Sequence, residues 1–319
     1  MALPSLLVAI GAGFLYLGAE WLVKGAARLA DSLGISPIVV GLTVVSLGTS
    51  APEMVVCVLA ALDEGGDLAM GNVLGSNLAN LGLILGLAAV LSPFKLAGRV
   101  VAREVPIMLV VTLLVFPLIL DLRLGRFDGA ILLAVLTLYL VFIGWTAEEE
   151  EIVLEEYEEL SDEPERDDGS GATPVGDFGL LVVGAAAVVF GGHLVVTNAR
   201  QIALDLGVSE LVIGLTVVAI GTSLPELATS LVATVRKESD IAVGNIIGSN
   251  IFNVAAVLGV TSAIAPIDVS PTVLRVELPA VVAVSFLILF IALGSREIRR
   301  WEGAVLLASY VGAGFWVFL

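Results

Sequence analysis

Cysteine, histidine and positive charge are all scarce in this chain. A single cysteine, Cys57, among 319 residues excludes any intramolecular disulfide and leaves the redox compartment open. Its place in an apolar stretch marks it as a small packing residue. A single histidine, His193, leaves no HExxH zinc-peptidase motif. Lys and Arg number 15 against 32 acids, and charged residues make up only 15% of the chain. No basic segment precedes the first apolar stretch, which is also longer than the apolar core of a signal peptide, so it is expected to be retained as a helix.

Apolar residues are plentiful. They form 58% of the sequence, and the mean hydropathy is +1.04, more than a soluble core needs. A membrane-spanning helix takes about 20 mostly apolar residues. Ten such stretches can be drawn, at 4–27, 37–62, 69–91, 104–121, 127–146, 176–202, 209–234, 241–265, 272–294 and 300–319. The expectation is an all-α membrane protein of ten transmembrane helices, with the lipid bilayer as its surroundings.

The net charge of −17 is concentrated in one place. Residues 148–168 hold 13 acids and one arginine, a net of −12, which leaves −5 for the rest of the chain. Such a block reads as a solvated segment, with a cation sensor as the other reading. With the following Gly/Ser-rich stretch it forms a linker over 148–175 between two halves, 1–147 and 176–319. Basic residues set the orientation. With the N-terminus outside, the cytosolic loops collect eleven Lys and Arg and the outer loops four. Both termini are then extracellular and the acidic linker is cytosolic.

The two halves repeat one pattern. A constant shift, which sets Gly41 on Gly214, aligns GLTVVSLGTSAPE (41–53) with GLTVVAIGTSLPE (214–226) at ten of thirteen positions. The same shift aligns GNVLGSNLAN (71–80) with GNIIGSNIFN (244–253) at six of ten. Five helices per half is an odd number, so the halves enter the membrane from opposite sides as inverted repeats, which build substrate sites from broken helices near the midplane. Pro52 and Pro225 cannot donate to the carbonyls of Gly48 and Gly221, and the neighbouring Gly, Thr and Ser favour local unwinding. Such a backbone is tolerated at this depth only where it lines a cavity.

Glu53 and Glu226 carry the reading. An acid at the centre of a membrane helix costs about 2.5–3.5 kcal/mol on the mildest scale. Two of them, symmetric and beside prolines, supply a charge of −2 that matches one divalent cation. Carboxylates, hydroxyls and carbonyls are hard ligands suited to calcium or sodium. The notches Asn72, Ser76, Asn77 and Asn80, with mates Asn245, Ser249, Asn250 and Asn253, add polar groups on helix faces. Gly71, Gly75, Gly244 and Gly248 let a neighbouring helix approach.

On these two repeats the chain resembles the sodium/calcium exchangers of the cation/calcium antiporter superfamily. The resemblance implies a symmetric bundle with four central ion subsites, no enzymatic activity, no cofactor and no nucleic-acid partner, with calcium and sodium as transported ions. It implies that Glu53 and Glu226 bridge the calcium and sodium subsites, and that Thr49 and Thr222 give carbonyls to calcium. Ser50 with Ser76, and Ser223 with Ser249, would form the outer sodium subsites, assisted by the carbonyls of Ser46 and Ala219. Asn80 and Asn253 would face the central subsite, and asparagine at both positions argues against a potassium requirement. The expected protein is a cell-membrane antiporter, working as a monomer, that exchanges calcium for sodium by alternating access. The alternatives are a proton-coupled or potassium-dependent calcium antiporter, or a cation channel. An intramembrane enzyme fits less well, because His193 is the repeat mate of Glu20 rather than a neighbour of a nucleophilic serine; both are assigned near-interface packing or hydrogen-bonding roles. If the acidic run is only a tether, replacing 148–168 with a Gly/Ser segment of equal length leaves transport and its calcium dependence unchanged; a shifted activation curve for cytosolic calcium makes it a sensor.

Overall fold

The computed structural model describes residues 2–63, 66–160, 174–208, 219–295 and 297–318, without the side chains of 148–160, 219–220, 295 and 317–318. The chain is mostly helical. The first half holds α1 (Ala2–Leu33), α2 (Pro37–Thr49), α3 (Ala51–Leu62), α4 (Gly66–Leu91), α5 (Val100–Leu118) and α6 (Arg126–Leu160). The second holds α7 (Pro174–Asp205), α8 (Ala219–Thr222), α9 (Leu224–Val235), α10 (Ser239–Ile264), α11 (Val273–Gly294) and α12 (Arg300–Phe318). Among the described residues seven helices are long and apolar enough to cross a membrane, and the bent α2–α3 pair makes an eighth. Of the other two expected spans, 209–234 has its first ten residues outside the described set, and 300–319 corresponds to α12.

Two expectations from the sequence need adjustment. The stretch 37–62 is not unwound around its Gly-Thr-Ser. It stays helical through Thr49, breaks at Ser50 alone and bends by 43°. The reason is that Pro52 sits in the first turn of α3, where a missing N–H costs nothing. A π-helical turn at Gly41–Val45 lies just upstream. The fifth span ends where expected, at Ala147, but its helix continues into the stretch expected as linker. Its helix runs on to Leu160 because the Glu-rich sequence has good helix propensity and meets no Gly or Pro there. Residues 161–173, the rest of the expected linker, lie outside the described set.

Lipid tails give helices no hydrophobic reason to associate, so close packing depends on small side chains. Antiparallel α1 and α7 meet along a glycine seam: a methyl group at Gly11 would lie 2.8 Å from the Gly191 carbonyl oxygen, one at Gly18 2.7 Å from the Val188 nitrogen, and one at Gly25 2.6 Å from the Leu181 nitrogen. Parallel α2 and α10 meet in the same way, through Gly244 on Ile38 and Gly248 on Leu42. α10 and α4 form the centre, with 100% and 78% of their spanning windows buried against 22% for α6.

Short strands close the two ends of the bundle. β1 (Phe94–Lys95) pairs antiparallel with β4 (Glu297–Ile298), and β2 (Arg123–Leu124) with β3 (Ile267–Asp268), each pair joining the first half to the second. One wholly buried acid near an end, Glu104, receives Arg103 at 2.8 Å, Arg99 at 3.4 Å and the Tyr139 hydroxyl at 3.3 Å. A large residue in the glycine seam has no space to enter. Gly18→Leu is expected to force α1 from α7 and to destabilise the fold by about 1–3 kcal/mol, read as a lower melting temperature in detergent; Gly13→Leu, at a position with open space around it, is the control expected to leave it unchanged.

Candidate functional site

The sequence breaks both central helices in the same way. Ser50, between α2 and α3, has φ −84° and ψ 3°, and Ser223, between α8 and α9, has φ −88° and ψ 7°. Each is followed by a proline in the first turn, then by Glu53 or Glu226 in that same turn. A carboxylate at a helix N-terminus sits where the helix dipole favours negative charge. This local arrangement lowers the cost of an acid that the surroundings would otherwise reject.

Both carboxylates are wholly buried and close enough to act on each other electrostatically. Serine hydroxyls donate to both. Ser76 donates to Glu53 Oε1 at 3.5 Å, and Ser50 donates to Glu226 Oε1 at 3.2 Å, so Ser50 serves the glutamate of the other half. Ser223 in turn donates to Ser76 at 3.1 Å. The Oε2 atoms of Glu53 and Glu226 have no hydrogen-bond partner among the described residues.

Threonines and amides complete the ring. Thr49 donates to Asn245 Oδ1 at 3.0 Å, and its hydroxyl lies 3.4 Å from that of Ser249. Thr222 donates to Asn72 Oδ1 at 3.3 Å. The Ser46 hydroxyl donates to the Gly41 carbonyl at 2.7 Å, with the Asn245 carbonyl at 3.1 Å, and so ties α2 to α10. Its own carbonyl accepts the Ser50 N–H at 3.0 Å and lies 3.3 Å from the Thr49 hydroxyl, as a longer alternative to Asn245 for that one proton. Ala219 opens α8. Asn253 donates to Asn77 Oδ1 at 3.1 Å, and Asn77 donates to the Asn250 carbonyl at 3.2 Å. That direction of donation leaves Asn253 Oδ1 as the free end; it and both polar atoms of Asn80 are buried without partners.

The structure therefore gathers Glu53, Glu226, Thr49, Thr222, Ser50, Ser223, Ser76, Ser249 and Ser46 into linked hydrogen-bond chains between the two repeats. The hydroxyl partners differ from the subsite pairs that the resemblance implied: Ser223 is joined to Ser76, Ser50 to Glu226, and Ser249 lies beside Thr49. The cause is the packing of α2 along α10 and of α8 against α4, which sets each break against the opposite repeat. Asn77, Asn72, Asn245 and Ser230 were not among the expected ligands, yet they orient them. The π-helical turns that begin at Ala79 and Asn253 also escaped the sequence, although such turns recur at functional sites. Glu20 lies elsewhere, paired with Arg236, and His193 is exposed. Among the described residues no group of three or more His, Cys, Asp or Glu could hold a metal. The chemistry available is two carboxylates among neutral oxygens, an environment for a hard cation.

Comparison with known proteins agrees with this chemistry. The family model described as "Sodium/calcium exchanger protein" matches residues 4–145 and 177–319. The sodium/calcium exchanger MaX1 of Methanosarcina acetivorans is 33% identical over 338 residues, covering 96% of both chains. The inner membrane protein YrbG of Escherichia coli is 40% identical over 279 residues, covering 85% of this chain and 83% of its own. The solved structure of the sodium-calcium exchanger NCX_Mj superimposes with a TM-score of 0.83 at 32% identity, covering 98% of each chain. A fold, a buried pair of acids and a family match over both halves converge: the chain belongs to the sodium/calcium exchanger family of cation/calcium antiporters.

Proposed function

We propose that this protein exchanges calcium for sodium by alternating access, with the ions held by Glu53 and Glu226 at the bilayer midplane. The observation that carries the reading is the pair of wholly buried carboxylates, each with one oxygen left without a hydrogen bond. An unpaired charge in a low-dielectric interior is strongly unfavourable, so each carboxylate is stabilised by a bound cation or by a proton, and the pair together fits a divalent ion. A charge of −2 is balanced by one calcium ion or by sodium ions, and the two compete for the same oxygens. An empty site would expose two uncompensated charges as the halves move, and this couples the crossing of one ion to that of the other. Thr49, Thr222, Ser50, Ser223, Ser76, Ser249, Asn80 and Asn253, with the carbonyls of Ser46 and Ala219, supply the neutral oxygens.

The surrounding architecture is read as ten spans in two inverted repeats, 1–147 and 176–319, joined by an acidic cytosolic linker over 148–175, with both termini outside. Several mate positions support the inversion. Gly34 and Gly207, mates under the shift that sets Gly41 on Gly214, both take positive φ, at 67° and 81°. Mate π-helical turns occur at Val100–Glu104 and Val273–Glu277. The glycine seam sets Gly18 on Gly184 and Gly11 on Gly191, so that each pair is the repeat image of the other, on helices that run in opposite directions.

Calcium-45 uptake into sodium-loaded proteoliposomes, with sodium, potassium and proton gradients imposed in turn, tests the coupling. Uptake is expected with an outward sodium gradient; uptake driven only by a proton gradient would replace sodium with protons in the mechanism. Glu53→Gln and Glu226→Gln keep side-chain size but remove a ligand charge, and each is expected to lower calcium uptake by about 100-fold or more. The same variants should melt no lower than wild type without ions, since a neutral amide is cheaper to bury than a carboxylate. Wild-type-like transport in either removes that residue from the site.

The neutral amide of Asn253 generates a second expectation. With no third acid grouped with the pair among the described residues to hold a co-transported potassium ion, sodium-driven uptake should be equal in choline and potassium media. Asn253→Asp should change ion selectivity and make uptake pH-dependent, falling on the acid side as the new carboxylate is neutralised. An outright potassium requirement in the wild type would show that another group reaches the pocket.

A further inference from the structure

Two hydrogen-bond circuits stand behind the site, and one is the image of the other. In the first, Thr49 on α2 donates to Asn245 Oδ1 on α10 at 3.0 Å, and Asn245 Nδ2 donates to the Ser230 hydroxyl on α9 at 3.0 Å. In the second, Thr222 on α8 donates to Asn72 Oδ1 on α4 at 3.3 Å, and Asn72 Nδ2 donates to the Cys57 sulfur on α3 at 3.3 Å. Thr49 and Thr222, Asn72 and Asn245, and Cys57 and Ser230 are each repeat mates at the same constant offset. Both circuits start at the last helical residue before the break in one repeat, cross to the other repeat, and end there on the helix that carries that repeat's glutamate.

We propose that Asn72 and Asn245 are positioning residues that fix the turns at Thr222 and Thr49, so that the backbone carbonyls of these threonines point at calcium. This rests on the exchange reading above. An amide has one acceptor end and one donor end, and here each end has a different partner. The donor end is committed to Ser230 or Cys57, so the acceptor end must take the threonine proton. The hydroxyl is thereby turned to the asparagine, and the break residue keeps one rotamer. A carbonyl at a helix break has no helical partner to hold it, so its direction depends on how its own residue is anchored. Neither asparagine needs to touch an ion to do this.

The two circuits differ at their far ends. Ser230 and Asn245 are wholly buried and oxygen accepts the amide proton; Asn72 is half-buried and sulfur, a weaker acceptor, takes it. Cys57 itself donates to the Ala69 carbonyl at 3.5 Å. The Thr49 anchor is therefore the stiffer, and its loss should cost more.

The test separates positioning from general destabilisation by reading calcium and sodium apart. Asn245→Ala is expected to raise the KM for calcium by about tenfold and Asn72→Ala by about threefold, through loss of the hydrogen bond that anchors the threonine in each case, with sodium half-saturation changed less than twofold. Thr49→Val, which keeps the backbone carbonyl and removes only the hydroxyl, should reproduce the Asn245→Ala shift, and the double variant should add nothing further. Cys57→Ser, which installs the acceptor found in the other circuit, should lower the KM for calcium or leave it unchanged. If Asn245→Ala does not fold, Thr49→Val alone carries the measurement. Equal shifts for calcium and sodium, an unchanged KM, or additive effects of Thr49→Val and Asn245→Ala overturn the proposal. A wild-type protein without sodium-driven uptake overturns the exchange reading instead, and the circuits are then judged by the calcium-induced rise in melting temperature, which Asn245→Ala and Thr49→Val should reduce alike.

Discussion

Two carboxylates buried in an apolar interior are the constraint around which the molecule is arranged. The contrast with Glu104 makes this plain. That acid is just as buried, but two arginines and a tyrosine hydroxyl surround it, so its charge is matched within the protein. Glu53 and Glu226 have only neutral donors, and each keeps an oxygen free. Structure that stabilises them in part includes the helix N-termini beneath them, the serines that donate to them and the prolines that place them in a first turn. What remains unmatched within the described residues is the charge itself, and in the exchange reading proposed above a transported cation supplies that match.

The hydrogen bonds of the site run between the halves more than within them. Ser50 reaches Glu226, Ser223 reaches Ser76, and Thr49 reaches Asn245. A site built in this way exists only while the repeats are docked, so a change in how they sit on each other is felt at the ligands. The glycine seams allow that docking. They bring α1 onto α7 and α2 onto α10 closely enough for short side chains such as serine and threonine to span the gap. Larger residues in the seams would separate the hydroxyls from the acids they serve.

Symmetry in the chain is approximate, and the departures are local. Glu277, the mate of Glu104, has Thr272 and Val276 where Glu104 has Arg99 and Arg103, so the buried Arg99–Arg103–Glu104 cluster is not repeated at the mate position. Asn77 holds Asn253 and leans on the Asn250 backbone, whereas Asn250 turns to the Ile246 carbonyl of its own helix and Asn80 is left without a partner. The central amides thus differ in how firmly they are held although their sequences repeat.

By itself the sequence determined the class and the chemistry. Apolar stretches long enough to span a bilayer, a repeat at one fixed offset, and acids beside prolines inside apolar segments are local patterns that need no knowledge of packing. Glu53 and Glu226 stood out from the same patterns, whereas the roles of the serines and threonines near them were implied by the resemblance to sodium/calcium exchangers. Tertiary structure decided the pairings. Whether Ser223 meets Ser249 or Ser76 depends on which helix the break is packed against, and no residue spacing records that. The roles of Asn72, Asn245 and Asn77 were hidden for the same reason, since an amide reads as one more polar notch until its two ends are seen with different partners. The single-residue break at Ser50 and the continuation of the α6 helix beyond its apolar span to Leu160 were also beyond composition, because one depends on where a proline falls within a helical turn and the other on the helix propensity of a stretch expected as linker.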